Sequence, residues 1–379
     1  MELLRKWDCN VPTLRFAEFT DEWEKYELSH FVTRITRRNK NNESSLPLTI
    51  SAQYGLVDQI SFFNKTVASV DLSGYYLLYN GDFAYNKSYS NDYAWGAVKR
   101  LDKYEKGCLS SLYFVFRPND NIDSDYLTHY FESSKWHKGI SNIAGEGARN
   151  HGLLNMAVDD YFATKHYLPS LPEQRKIARV FNAITRRIEI QNKIISKYET
   201  LIKGLCNMIF RHNKSVSLSD LVKCKTSALQ ENMVSTCHRG EYKVLGASGA
   251  IAAIDTYQFE ESGILVLKDG SKAGKIQFAE GKYSVIGTSV VLIPNEACDA
   301  RYLYFAMSSI DFEKYKVGSG IPHIYFKDYF NERIYYPEKS LRKRITEALD
   351  AYDIKLGIEK EMLSTLQKQK AFLIKSMFI

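Results

Sequence analysis

The chain is poor in proline. It holds eight prolines among 379 residues, and no two are adjacent. An Asn/Asp-Pro-Pro-aromatic stretch, the usual signature of amino-group methyltransferases, is therefore absent. No apolar run approaches the roughly eighteen residues that a membrane span needs. The opening MELLRKWDCN carries charges too early and too densely for a secretory signal. The six cysteines (Cys9, Cys108, Cys206, Cys224, Cys237, Cys298) are scattered, with no C-x-x-C pair and no histidine at ligand spacing. Dispersed cysteines in a long chain read as a reduced, cytosolic protein without a zinc site.

Catalytic signatures are missing as well. GSKAGK at 270–275 is one residue short of a phosphate loop, and Ile276 stands where Ser or Thr would hold magnesium. GEGARNHG at 145–152 does not fit G-x-G-x-x-G. Neither G-x-S-x-G nor H-E-x-x-H occurs. Isolated histidines such as His151 and His323 are more often surface or satisfied core residues than catalysts. The expectation is a binding protein with no catalytic residue and no metal ligand.

What is present is ordinary globular material, 45% hydrophobic and 25% charged, long enough for two or three domains. A net charge of +7 permits a polyanionic partner without demanding one. The 26 tyrosines suit recognition surfaces, although most will line a core.

The most informative feature is a repeat. SLPEQRKIARVFNAI at 170–184 and PEKSLRKRITEALDAY at 337–352 each place a proline ahead of a basic doublet and an isoleucine. Aligning Pro169 with Pro337 offsets the copies by 168 residues without a gap, to the pair Phe210 and Phe378. In the first copy Ile177, Phe181, Ile184, Ile188, Gln191, Ile195, Tyr198, Ile202, Leu205 and Ile209 step alternately by four and three. In the second, Ile345, Leu349, Tyr352, Leu356, Glu359, Leu363, Leu366, Lys370, Leu373 and Met377 do the same. Such steps are a heptad seam, one stripe along a long helix. The offset is a whole number of heptads, so both seams share a register. Pro172 suits a first helical turn, and Glu173 suits its positive end.

Connectivity sets the direction. Only RHNKSVSLSD separates the first helix from the material after it, too little to travel back along that helix. The second helix must run back to pair, so the pairing is antiparallel. Gln191 and Glu359, the seam positions polar in both copies, then face each other and set the register. Residues 20–165 and 215–335 read as mixed, mainly β domains. GYYLLYNG, CLSSLYFVFRP, GILVLKDG and YSVIGTSVVLIP each read as a strand bounded by turn residues. The order of elements repeats between the domains: YYLLYNGDF answers GILVLKDGS, GCLSSLYFVF answers GTSVVLI, DYLTHYF answers RYLYFAM, and AGEGARNHG answers VGSGIPHIY. The fold class is thus α+β: two mixed, mainly β domains separated by a long antiparallel two-helix coiled coil, with a pseudo-two-fold internal repeat.

With these residues assembled, the chain resembles the specificity subunit of Type I restriction-modification systems. VPTLRFAEFTDEWEKYEL at 11–28 is similar to that family's N-terminal arm. Leu171, Pro172, Glu173, Gln174 and Ile177 match the start of its central conserved helix. The second copy departs, keeping Pro337 and Ile345 but replacing Glu-Gln with Leu341 and its neighbours. The glycines Gly145/Gly147 and Gly318/Gly320 also look like those before the family's helices. The resemblance implies an N-terminal arm (1–19), target recognition domain 1 (20–165), spacer helix 1 (166–212), target recognition domain 2 (213–337) and spacer helix 2 (338–379).

It further implies that each domain reads half of a split site in double-stranded DNA. The coiled coil acts as spacer and docks two modification (methyltransferase) subunits, which carry S-adenosylmethionine. Restriction (motor-nuclease) subunits join for cleavage. The chain itself holds no cofactor and catalyses nothing. A cytoplasmic, nucleoid-associated location in a bacterium or archaeon follows. The first helix carries eight Lys or Arg against three Glu, an excess that favours phosphates or acidic partners. The DNA-contact candidates are Asn86, Lys87, Lys99, Arg100, Arg149 and Asn150 in the first domain, and Lys268, Lys272, Lys275 and His323 in the second. Arg and Lys reach guanine edges and Asn reads adenine; other contacts touch only phosphate. The competing readings are a scaffold joining two protein-binding domains, and an enzyme with unrecognised motifs.

Overall fold

The computed structural model describes residues 10–65, 67–90, 93–145, 152–211, 215–234, 239–296, 299–318 and 320–379. The chain forms two compact units, Met1–Ile190 with Leu363–Ile379, and Gln191–Met362. No helix among the described residues is long and apolar enough to cross a membrane.

In the first unit a four-stranded antiparallel sheet has the spatial order Val32–Arg34, Phe114–Pro118, Phe83–Asn86, Ala97–Arg100. Its inner face carries Phe83, Tyr85, Phe114 and Phe116, which pack on Tyr126, Tyr130, Trp136 and Tyr161 in one aromatic core. In the second unit the sheet runs Val222–Thr226, Ser289–Pro294, Gly263–Leu267, Ile276–Ala279. Its core joins Val266, Leu292, Tyr302 and Phe305. The two orders are the same. A short helix follows the second strand of each order, Ser124–Tyr130 in one and Ala300–Met307 in the other. A two-stranded ribbon, Glu24–Glu27 with Lys165–Leu168 or Val216–Ser217 with Arg333–Ile334, leads into each long helix.

This topology revises the equivalences expected from sequence. Phe83 pairs with Phe116 as Ile264 pairs with Leu292, so the counterpart of Gly263–Leu267 is Phe83–Asn86. Tyr76–Tyr79, within the stretch aligned there, instead pairs with Lys106–Leu109 in a separate two-stranded sheet. Both apolar runs end in an Asn-Gly or Asp-Gly turn, so local pattern does not choose between them. CLSSLYFVFRP and YSVIGTSVVLIP are not single strands. The first breaks at a turn closed by Tyr113 N–H donating to the Ser110 carbonyl, the second where Ser289 N–H donates to the Ile286 carbonyl.

The long helices span Leu171–Phe210 and Lys339–Met377. In the first unit the start of one meets the end of the other: Ile177 and Phe181 share a core with Met377 and Phe378, and the Phe181 and Phe378 rings stack at 5.4 Å. In the second unit Ile202, Leu205, Ile209 and Phe210 share a core with Ile345 and Leu349. Starts meet ends in both units, so the helices run antiparallel. Ile195, Leu356 and Leu366 are buried on the seam, while Ile184, Ile188, Tyr198, Leu363 and Leu373 are half-buried. Gln191 is buried and its side-chain amide donates to the Glu359 carbonyl at 3.0 Å and to the Glu359 carboxylate. Tyr352 departs from the seam and is exposed. Between Leu349 and Leu356 the inward step passes through Asp353, which Arg301 holds at 2.5 Å; four-then-three replaces three-then-four, and Tyr352 turns out.

Candidate nucleic-acid interface

Each helix start is clamped to its domain by one buried polar residue. Gln174 accepts from the Asp123 N–H at 2.8 Å and donates to the Pro169 carbonyl at 2.9 Å. At the equivalent position Arg342 grips Asp299 at 2.9 and 3.0 Å and donates to the Pro337 carbonyl at 2.7 Å. Asp123 and Asp299 both precede the short helix of their domain. The apparent departure of the second copy is thus a change of side chain at a retained task. Glu173, itself buried, binds Arg15 of the arm through two hydrogen bonds of 2.8 Å. Leu341 replaces it in the second copy.

The loops at the end of the central strand are built alike. In the first unit Leu154 N–H donates to the Lys87 carbonyl, and Tyr89 N–H to the Gly152 carbonyl, both at 2.9 Å. In the second, Ile324 N–H donates to the Lys268 carbonyl, and Gly270 N–H to the Pro322 carbonyl, both at 2.9 Å. A segment far along the chain is therefore laced to the strand end in the same register twice. Lys87 and Lys268 occupy matching positions. Gly96 and Gly274 close the loops with φ of +77° and +87°, a region that favours glycine.

What the scaffold presents differs. Ser88 bridges to Leu153 where Asp269 bridges to His323. Asp269 Oδ1 lies 2.8 Å from His323 Nδ1, so this ring nitrogen is held, and among the described residues Nε2 has no hydrogen-bond partner. Lys268 sits 3.6 Å from Asp269. Lys272 and Lys275 are exposed on the Gly270–Gly274 turn, and Lys272 donates to Ser248 at 3.2 Å. Exposed Ile321 and Tyr325 flank this group, as Tyr89 and Leu153 do in the first unit. Apolar side chains among donors suit a groove in which thymine methyls alternate with polar edges.

The first-unit candidates fare unequally. Asn86 accepts from Ser88 N–H at 2.9 Å. Lys87 lies 4.6 Å from the Phe114 ring centre, and burial lowers its pKa. Burial also lowers that of Lys99, against the opposing pull of Glu132. Arg100 is already committed, at 2.6 Å to Asp102 and 2.7 Å to Asp125, and acts as a structural ion pair. Arg149 and Asn150 lie outside the described residues. Sequence reasoning missed Asp269, the partner of His323, because 54 residues separate them.

Comparison with known proteins completes the picture. A family model for the Type I restriction modification DNA specificity domain matches residues 211–368. The Type I restriction enzyme MjaVIII specificity subunit of Methanocaldococcus jannaschii is 30% identical over 122 residues, 31% of this chain and 28% of that protein. The chain thus aligns with about a quarter of the curated relative's length. Among solved structures, the S subunit of a Type I restriction-modification system from M. genitalium superposes with TM-score 0.61 at 16% identity, covering 97% of this chain and 99% of that one. A structure described as underlying complex assembly and conformational transition of the type I R-M system gives TM-score 0.50 at 16% identity, covering 93% and 96%. The likenesses to solved structures carry the fold. Residues 211–368 match a Type I DNA specificity domain, and the fold of the chain resembles, along its length, that of an S subunit of a Type I restriction-modification system.

Proposed function

We propose that the chain is the non-catalytic DNA-specificity subunit of a Type I restriction-modification enzyme. Each domain reads one half of a bipartite site in double-stranded DNA through its laced loops. The paired helices set the gap between half-sites and dock modification subunits, which supply S-adenosylmethionine and the methyl transfer. Motor-nuclease subunits join where restriction follows, and the assembly works in the cytoplasm. The observation that carries this reading is the repeated pair of 2.9 Å backbone hydrogen bonds at Lys87 and Lys268, framing different side chains. One scaffold with two sets of presented groups is what two dissimilar half-sites require, because base edges specify while a common backbone register positions.

The test is selection of random duplexes by the full chain with its modification partner. A split motif with a constant gap is the expected result. Protein–protein assembly without any enriched sequence would instead indicate a scaffold. Methyl transfer from labelled S-adenosylmethionine by the chain alone would refute the non-catalytic assignment.

A further inference from the structure

Both domains carry a cleft between the loop closed by Gly96 or Gly274 and the segment after the short helix. In the first unit it is lined by Tyr93, Lys99, Trp136 and His137, against Gln53 at the tip of the hairpin formed by Leu48–Ser51 and Gly55–Asp58. In the second, a cleft of about 520 Å³ is bounded by the 271–275 turn, by residues 308–316 and by Lys203 and Asn207 of the first long helix. Four lysines face it: Lys203, Lys272, Lys275 and Lys316. Two carboxylates offset them in part. Glu313 pairs with Lys316 at 2.6 Å, and Asp311 accepts from the Glu313 N–H at 3.1 Å. Lys203 and Lys275 are exposed, and neither has a carboxylate within ion-pair distance among the described residues. The wall between them is fixed, because Gly274 packs so closely on Phe312 that an added Cβ would lie 2.6 Å from the Phe312 Cβ.

We infer that this cleft is a phosphate clamp in which Lys203 of the spacer helix and Lys275 of the recognition domain together hold a phosphodiester of the DNA backbone. The inference rests on the reading proposed above and extends DNA contact from the recognition loops onto the helix. Two lysines on separate elements, the long helix and the turn, line one cleft, and the same turn carries the Lys268–His323 group at its other end. An ammonium is a compact point charge that suits a phosphate, and a lysine spent on a phosphate positions the backbone without reading its sequence. The clamp therefore contributes affinity without sequence preference.

The experiment measures binding of the full chain, with its modification partner, to a duplex bearing its selected motif over a range of salt. Neutralising one phosphate-binding lysine should make the slope of log affinity against log salt shallower by about 0.9. The expected result is a change of about that size in Lys203→Gln and in Lys275→Gln, with weaker binding to all sequences and an unaltered motif. Circular dichroism and melting temperature equal to wild type show that the variants fold. Unchanged slopes in the double variant overturn the clamp. A relaxed motif also overturns it, because the lysines would then read bases. Stabilisation of the wild type but not Lys203→Gln by millimolar inorganic phosphate, with unchanged DNA slopes, assigns a free-anion site and overturns it too. Failure of the wild type to enrich any split motif counts against the proposed function instead, and non-specific binding still reads the slope.

Discussion

Gly274 meets two demands at once. Its φ of +87° lies in the left-handed region, and a Cβ there would approach Phe312. Gly270 has φ of +91° but open space around it. Alanine at Gly270 costs only backbone strain, about 1 kcal/mol, whereas at Gly274 the steric clash adds to it, for about 2–4 kcal/mol. Thermal melting of the two variants checks this order, and equal losses would contradict it. His166 offers a second residue-scale test. It is buried, with Nδ1 at 2.8 Å from the Tyr130 hydroxyl and Nε2 at 2.8 Å from the Thr164 hydroxyl. Burial pushes its pKa down to about 4. The unfolded chain takes up this proton near pH 6.5 and the folded chain only near 4, so stability present above 6.5 is lost as pH falls between those values. The loss is on the order of 3 kcal/mol. His166→Gln should flatten the fall in melting temperature across that window.

Elements show where local pattern sufficed. The heptads and their shared register were legible because a helix buries a stripe set by 3.6 residues per turn, a property of neighbouring residues alone. Lys370 breaks the apolar seam, and the sequence offers no reason. The structure does: its ammonium lies 3.0 Å from Glu132, which also sits 3.2 Å from His129. Removing one partner leaves a half-buried charge, which costs more than removing both. Lys370→Met should therefore destabilise by about 1–3 kcal/mol, and adding Glu132→Gln should recover part of that loss. Denaturant midpoints of the two single variants and the double variant check it; strict additivity would rule out the coupling. Strand equivalences were less legible, since apolar runs ending in Asn-Gly and Asp-Gly look alike until pairing partners are known. Tyr352 failed for a related reason. A strict heptad cannot show that Asp353 is drawn inward by Arg301 on another element.

At the scale of the molecule, the repeat of topology and the antiparallel helices give the proposed function its mechanical test. One heptad of helix is about 10 Å, near the rise of three base pairs at about 3.4 Å each. Deleting a heptad from each helix, within 185–200 and the facing stretch of the second helix, keeps the seam in register. Under the proposal the selected half-sites should move closer by about three base pairs while each half-site keeps its sequence. Selection from random duplexes measures the gap, and an unchanged gap contradicts the spacer role.

The amino-acid sequence by itself determined the two long helices, their polar midpoint at Gln191 and Glu359, the duplication, and the lack of catalytic signatures. Each is written in residues close along the chain or in a constant offset. Only the tertiary structure decided that Phe83–Asn86 is the counterpart of Gly263–Leu267, that Gln174 and Arg342 share one task, and that Asp269 holds His323. Those pairings join residues tens of positions apart through backbone hydrogen bonds and packing. No local periodicity encodes which distant segment will come to lie beside a strand end.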